Sequence, residues 1–124
     1  MPQQHMSFDS KGLSLQAVLE YPESEDKVPG VVICHPSPRF GGDMASSVVV
    51  GVSKKLNAAG IATLRFNFRG VGASEGTHDK GDGEVDDALA ALAALELEDV
   101  VDPSRIGIAG YSFGASMALQ AVLE

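Results

Sequence analysis

Apolar positions along this chain change their period from stretch to stretch, and each period points to a different element. Residues Ser14 to Tyr21, "SLQAVLEY", mix β-compatible side chains with partial alternation, and "MSFDSKG" before them reads as a partner strand across a Lys11-Gly12 turn. Three continuous apolar runs follow: "VVIC" at Val31 to Cys34, "IATLRFNF" at Ile61 to Phe68 and "RIGIAGY" at Arg105 to Tyr111. Such runs suit strands covered on both faces.

Helical spacing fills the gaps between these runs. Asp43 is a candidate cap for a segment reaching about Ala58, with Val48, Val52 and Leu56 spaced at four. From Gly83 to Leu97 the stripe is clearer: Val85, Ala88, Leu89, Leu92 and Leu95 share one face, and Asp86, Asp87 and Glu96 are expected to face away. A third helix is expected from Phe113 to the end. A hairpin followed by alternating strands and helices predicts an α/β fold, a mostly parallel sheet with helices on both faces. The 124 residues fit one domain.

Composition narrows the function. A formal net charge of −8 and no Lys/Arg run argue against nucleic acid or an anionic membrane as partner. One cysteine cannot form an internal disulfide, and "MPQQHMSFDS" lacks a signal-peptide layout. No apolar stretch approaches the roughly 20 residues that span a bilayer. The expected location is the cytoplasm.

Glycine-rich stretches fall at the C-terminal ends of the three runs, where ligands bind in such sheets. Gly110-Tyr111-Ser112-Phe113-Gly114 has the form G-x-S-x-G between a strand and a helix. That context forces the serine into a strained turn that lifts its Oγ clear of the sheet. The Phe113 N–H then stands at a helix N-terminus, able to stabilise a negative substrate oxygen. A second donor is needed from the loop after "VVIC"; Pro36 and Pro38 have no N–H, which leaves Ser37. His35, at a strand end, reads as a structural histidine bonding loop backbone, and Cys34 as a core residue.

The stretch "RFNFRGVGASEG" begins as Gly70-x-Gly72, but its third glycine, Gly76, falls one residue too late for a dinucleotide loop. A shaped turn with Arg69 paired to Asp86 or Asp87 is preferred. His78 and Asp79 read as a solvated polar loop, with an improvised base–acid pair as the alternative. His5, His35 and His78 show no metal-ligand spacing, so neither metal nor cofactor is expected.

With "HPSPRFGG", the block Arg65 to Gly76 and "GYSFGA" in this order, the sequence resembles the α/β-hydrolase superfamily, specifically its small bacterial serine hydrolases of esterase or dienelactone-hydrolase type. Many members carry histidine where Ser37 stands. The resemblance implies Ser112 as nucleophile, Phe113 and Ser37 as backbone oxyanion donors, and a strand order 1-2-4-3-5. It also implies that acid and histidine follow the serine in the chain, beyond the ten residues after Gly114. The chain then corresponds to the N-terminal portion of such a fold, lacking its C-terminal strands. It is expected to act on a small-molecule ester, thioester or lactone, and to be nearly inactive alone. Its fifth strand becomes an open edge for a second copy (a homo-oligomer) or a C-terminal fragment. Two other readings compete: a noncatalytic self-associating module, and a minimal hydrolase with His78 or His35 as base.

Overall fold

The computed structural model describes residues 2–124. Strands β1 (Gln3–Ser10) and β2 (Leu13–Glu20) form the expected hairpin. Lys11 and Gly12 take positive φ, 45° and 90°, the pair that a two-residue hairpin turn requires. Then come β3 (Val28–Cys34), a 3₁₀ turn at Pro38–Phe40, α1 (Ser47–Ala58), β4 (Ala62–Phe66), α2 (Asp82–Glu96), β5 (Val101–Gly110) and α3 (Phe113–Val122).

The sheet order is β1-β2-β4-β3-β5, as the resemblance implies. The sheet is mixed, however, rather than mostly parallel: β1/β2 and β2/β4 pair antiparallel, and only β4/β3 and β3/β5 pair parallel. The cause lies in the connections. The hairpin forces β1 against β2, and residues 21–27 are too few for the crossover that would set β2 parallel to β3. Strand β5 also starts earlier than the apolar run suggests. Val101 pairs with Val28, and Ile106 is the next partner, opposite Gly30. The bulge between them is tied by Asp102, which accepts from the Ser104 N–H and hydroxyl and from Arg105 Nε. Those bonds hold its carboxyl down at about 2.

Helices cover both faces, but the two layers differ in chemistry. Against α2 and α3 the core is apolar: Leu15, Leu19, Val32, Leu64 and Phe66 from the sheet meet Ala88, Leu95, Met117 and Ala121. On the α1 side the buried stripe is Val49, Ser53 and Asn57, not the expected Val48, Val52 and Leu56. The reason is a polar partner surface. Ser53 Oγ lies 2.6 Å from Thr63 Oγ1 and donates to Glu20 at 2.9 Å, and Asn57 Nδ2 donates to the Ile61 carbonyl. Arg65 Nε completes the network on Glu20 at 2.7 Å. Burial would raise the Glu20 carboxyl, but the Arg65 and Ser53 hydrogen bonds outweigh it, so the group sits below its ordinary value. Asp43 does not cap α1, whose N-cap is Ser46; it accepts instead from the Ala45 N–H.

One further buried charge defines the fold. Asp87, expected to face away, is fully buried. Arg69 reaches it through Nε and Nη2, the latter at 2.8 Å, while the Arg69 N–H and the Ser10 hydroxyl donate to the same carboxylate. Asp86 stays outside and pairs with Lys11. Removing one member of such a pair leaves the other charge buried and unmatched. Asp87→Ala is therefore expected to cost about 3–5 kcal/mol of unfolding free energy in urea titrations, whereas Asp86→Ala changes it by less than about 1 kcal/mol.

Candidate active site

Strand β5 ends at Gly110 and α3 begins at Phe113, so only Tyr111 and Ser112 connect them. The turn is that tight because α3 starts on top of β3. A Cβ at Gly114 would overlap the Cys34 carbonyl, and one at Gly110 would overlap the Gly114 carbonyl. The Tyr111 N–H also donates to the Cys34 oxygen, at 3.4 Å. Between the two glycines Ser112 is forced to φ 56°, ψ −119°, a region that costs a non-glycine residue about 1–3 kcal/mol. Its side chain is exposed. The Ser112 carbonyl accepts from Ala115 and Ser116, and the Gly114 N–H turns back to Tyr111. Among the described residues the Phe113 N–H has no acceptor.

The loop after β3 stands beside this turn. Ser37 caps the 3₁₀ turn: its Oγ accepts from the Arg39 N–H at 3.2 Å, and its carbonyl accepts from Phe40 and Gly42. The glycine at 42 is required because a side chain there would strike the Pro36 carbonyl. Ser37 is half-buried, and its N–H also has no acceptor among the described residues.

His35 is structural, as its sequence position suggested. It is fully buried. One ring nitrogen, Nδ1, is 2.6 Å from the Pro36 carbonyl, and the other, Nε2, accepts the Phe68 N–H at 3.1 Å. Only the neutral ring protonated at Nδ1 satisfies both contacts. Burial accordingly pushes its pKa below the ordinary value, although the Pro36 carbonyl and Asp43 pull the other way. Neither nitrogen is free to serve Ser112. Cys34 lies in the core, its thiol pushed up to about 12 by burial.

The block Arg65 to Gly76 is the shaped turn expected from its glycines. Gly70, Gly72 and Gly76 all have positive φ, and Arg69 is spent on Asp87 rather than facing a ligand. His78 departs from the solvated-loop expectation. Its Nδ1 lies 3.0 Å from Glu84 Oε2, off hydrogen-bond alignment, and its ring rests against Phe113. Asp79 is not its partner; Asp79 accepts from the Gly83 N–H. Glu84 went unremarked in the sequence, although glutamate at the third position of a helix start signals a reach-back cap. It is fully buried and accepts from Asp79 and Gly81 N–H groups. Among the described residues no histidine hydrogen-bonds the Ser112 hydroxyl, and no three His, Cys, Asp or Glu side chains converge as metal ligands.

A sharp serine turn between strand and helix on this sheet order defines the α/β serine hydrolases. Residues 51–124 match the prolyl oligopeptidase family, and the chain belongs to it. Uncharacterised protein RP471 of Rickettsia prowazekii is 44% identical over 96 residues, covering 77% of this chain and 40% of that protein. An α/β serine hydrolase homologue from Coxiella burnetii superposes with a TM-score of 0.85 at 36% identity, over 96% of this chain and 56% of its own. XC6422 from Xanthomonas campestris, an α/β serine hydrolase without a lid, gives 0.87 at 34% identity, over 98% and 56%. The chain thus spans about half of the solved hydrolases, and less of the curated relative.

Two stability measurements follow from the site's construction. Gly114→Ala places a methyl group against backbone that cannot yield, and is expected to cost about 3 kcal/mol or more in urea unfolding. His35 has a lowered folded pKa, so the unfolded chain binds its proton more readily. Its contribution is present above pH 6.5, the unfolded value, and is lost as the pH falls below it. The Glu20 contribution is lost only below 4.5. Urea midpoints at pH 7.5 and 5.5 are expected to show lower stability at the acidic value, with the difference reduced in His35→Asn.

Proposed function

We propose that Ser112 is the nucleophile of a serine hydrolase acting on a small ester, thioester or lactone. The observation that carries this reading is the serine's strained, exposed backbone position beside an unbonded helix-first N–H. In the reaction Ser112 Oγ attacks the acyl carbonyl while its proton passes to a base. The oxygen that gains charge accepts from the Phe113 and Ser37 N–H groups, held by backbone before substrate arrives. Collapse of the tetrahedral species expels the alcohol or thiol with a proton and leaves an acyl-Ser112 ester. Water, deprotonated by the same base, then releases the acid and restores the hydroxyl.

The base and its orienting acid come from outside these 124 residues. His35 is committed to backbone, and His78 to Glu84 and Phe113. A serine triad deprived of its base loses on the order of a millionfold in turnover, so the chain alone is nearly inactive. The missing groups arrive with whatever pairs along the free edge of β5. Val52 on α1 and Leu119, Val122 and Leu123 on α3 are exposed apolar side chains, and with the free edge they support the second reading, a noncatalytic module that self-associates through β5.

A fluorophosphonate probe with light scattering separates the readings. Slow labelling confined to Ser112 and abolished by Ser112→Ala, with negligible turnover of p-nitrophenyl acetate, is the expected result. Turnover near 1 s⁻¹ or above, an ordinary enzyme rate, would refute the assignment of the base to another segment. No labelling together with a stable dimer would favour the assembly module.

A further inference from the structure

We infer that His78, seated on the buried Glu84 carboxylate, is a positioning residue for the Phe113 amide. The inference rests on the reading of that amide as an oxyanion donor. Among the described residues the Phe113 N–H is tied by no hydrogen bond, so its direction depends on how Ser112 and the Phe113 side chain are held. The Phe113 ring sits between two others. Phe68 meets it edge-on, with centroids 5.6 Å apart and planes at 75°; His78 meets it at 5.7 Å and 55°.

The two neighbours are anchored differently. Phe68 is fixed to the core: its N–H donates to His35 Nε2, and its ring packs on His35 and Phe66 at 4.9 Å. His78 stands on the loop 77–81, which is tied to α2 by Asp79, accepting the Gly83 N–H, and by Glu84. Glu84 Oε2 accepts the Asp79 N–H at 2.8 Å, and Oε1 accepts the Gly81 N–H at 3.0 Å. Oε2 is also the partner of His78 Nδ1. That nitrogen is buried and makes no hydrogen bond among the described residues. A bare lone pair at Nδ1 would face the carboxylate and be repelled, so the ring protonated at Nδ1 fits this contact better, although out of line for a hydrogen bond. The loop in turn lies on α3: a Cβ on Gly81 would be 3.3 Å from Met117 Cε and 4.0 Å from Phe113 Cε1. A buried carboxylate thus fixes a loop, the loop presents His78, and His78 closes the open side of Phe113.

The arrangement makes the amide sensitive to the charge on His78. The charged groups around it are few: Glu84 from α2, Asp79 and Lys80 on its own loop, and Arg69, which also feels Glu84 and Asp79 although bonded to Asp87. From α3 the Phe113 ring faces it and Met117 lies against Gly81 of the same loop, while His35 lies beyond Phe68.

The test is a pH titration of the ¹⁵N-labelled 124-residue chain, following the His78 ring proton and the Phe113 amide together. The two are expected to move with one midpoint. His78→Phe, which keeps a ring but no titrating nitrogen, is expected to flatten the Phe113 response while spectral dispersion is retained. A Phe113 amide indifferent to the His78 titration in the unmodified chain would overturn the inference without need of any variant. So would a Phe113 response that persists in His78→Phe, which would trace it to His35. Probe labelling distinguishes this from the hydrolase reading. Coupled titration with an unreactive Ser112 would leave the positioning contact standing and remove its catalytic meaning. A reactive Ser112 with an uncoupled amide would do the reverse.

Discussion

The geometry of this site rests on one steric constraint: the first turn of α3 lies directly on the terminal carbonyls of β3. Two side-chain-free positions, Gly110 and Gly114, permit that approach, because a methyl group at either would collide with backbone. Everything distinctive about Ser112 follows from it. The chain must reverse within two residues, so the serine takes a positive φ and stays exposed. The following N–H emerges at the helix start, where no carbonyl lies behind it to accept. Strain and open donor are two results of one contact.

The loops around that contact are held by buried polar groups rather than by apolar packing. His35 ties the end of β3 to the backbone after β4. Asp87 collects Arg69 and Ser10, and Glu84 collects the loop before α2. Each anchor satisfies backbone donors that would otherwise be stranded away from water, and each is costly to break for the same reason. Apolar contacts tolerate small slippage, whereas hydrogen-bonded anchors fix direction. A site whose proposed work is to hold two amides in place before substrate arrives gains from the second kind. The division matches the two faces of the sheet, where the apolar core stabilises and the polar network around Glu20 and Arg65 fixes the position of α1.

How much of this could be read from the sequence depended on which signal each feature left. The G-x-S-x-G elbow, the three strand runs and the Arg69 pairing carried local signatures, and the structure reproduces them. Features set by a partner surface did not. The stripe of α1 was read from its valines, but the helix buries Ser53 and Asn57 because Thr63 and Glu20 lie opposite. Asp87 falls among the polar positions of its helix because carboxylates are almost never fully buried unless paired, and its partners Ser10 and Arg69 are distant in the chain; Glu84 binds the loop just before its own helix, a signal that was local and legible. The antiparallel half of the sheet was hidden in the length of a connection, residues 21–27, rather than in any strand's composition.

Strand β5 joins two roles that usually fall to different elements. Its C-terminal end carries the elbow, and its length beyond the bulge pairs only with β3 among the described residues. The segment Ile106 to Ala109 is therefore half-buried despite its apolar character, and one row of its backbone N–H and C=O groups is free. An edge strand is held from one side and twists more freely than a central one. The direction of Gly110 follows from that of the strand it ends, and the Ser112 conformation follows from Gly110. A second strand along β5 would supply the backbone bonds that this edge lacks and fix its twist from both sides. Pairing at β5 and the poise of the serine are thus one mechanical problem, linked through four residues of backbone.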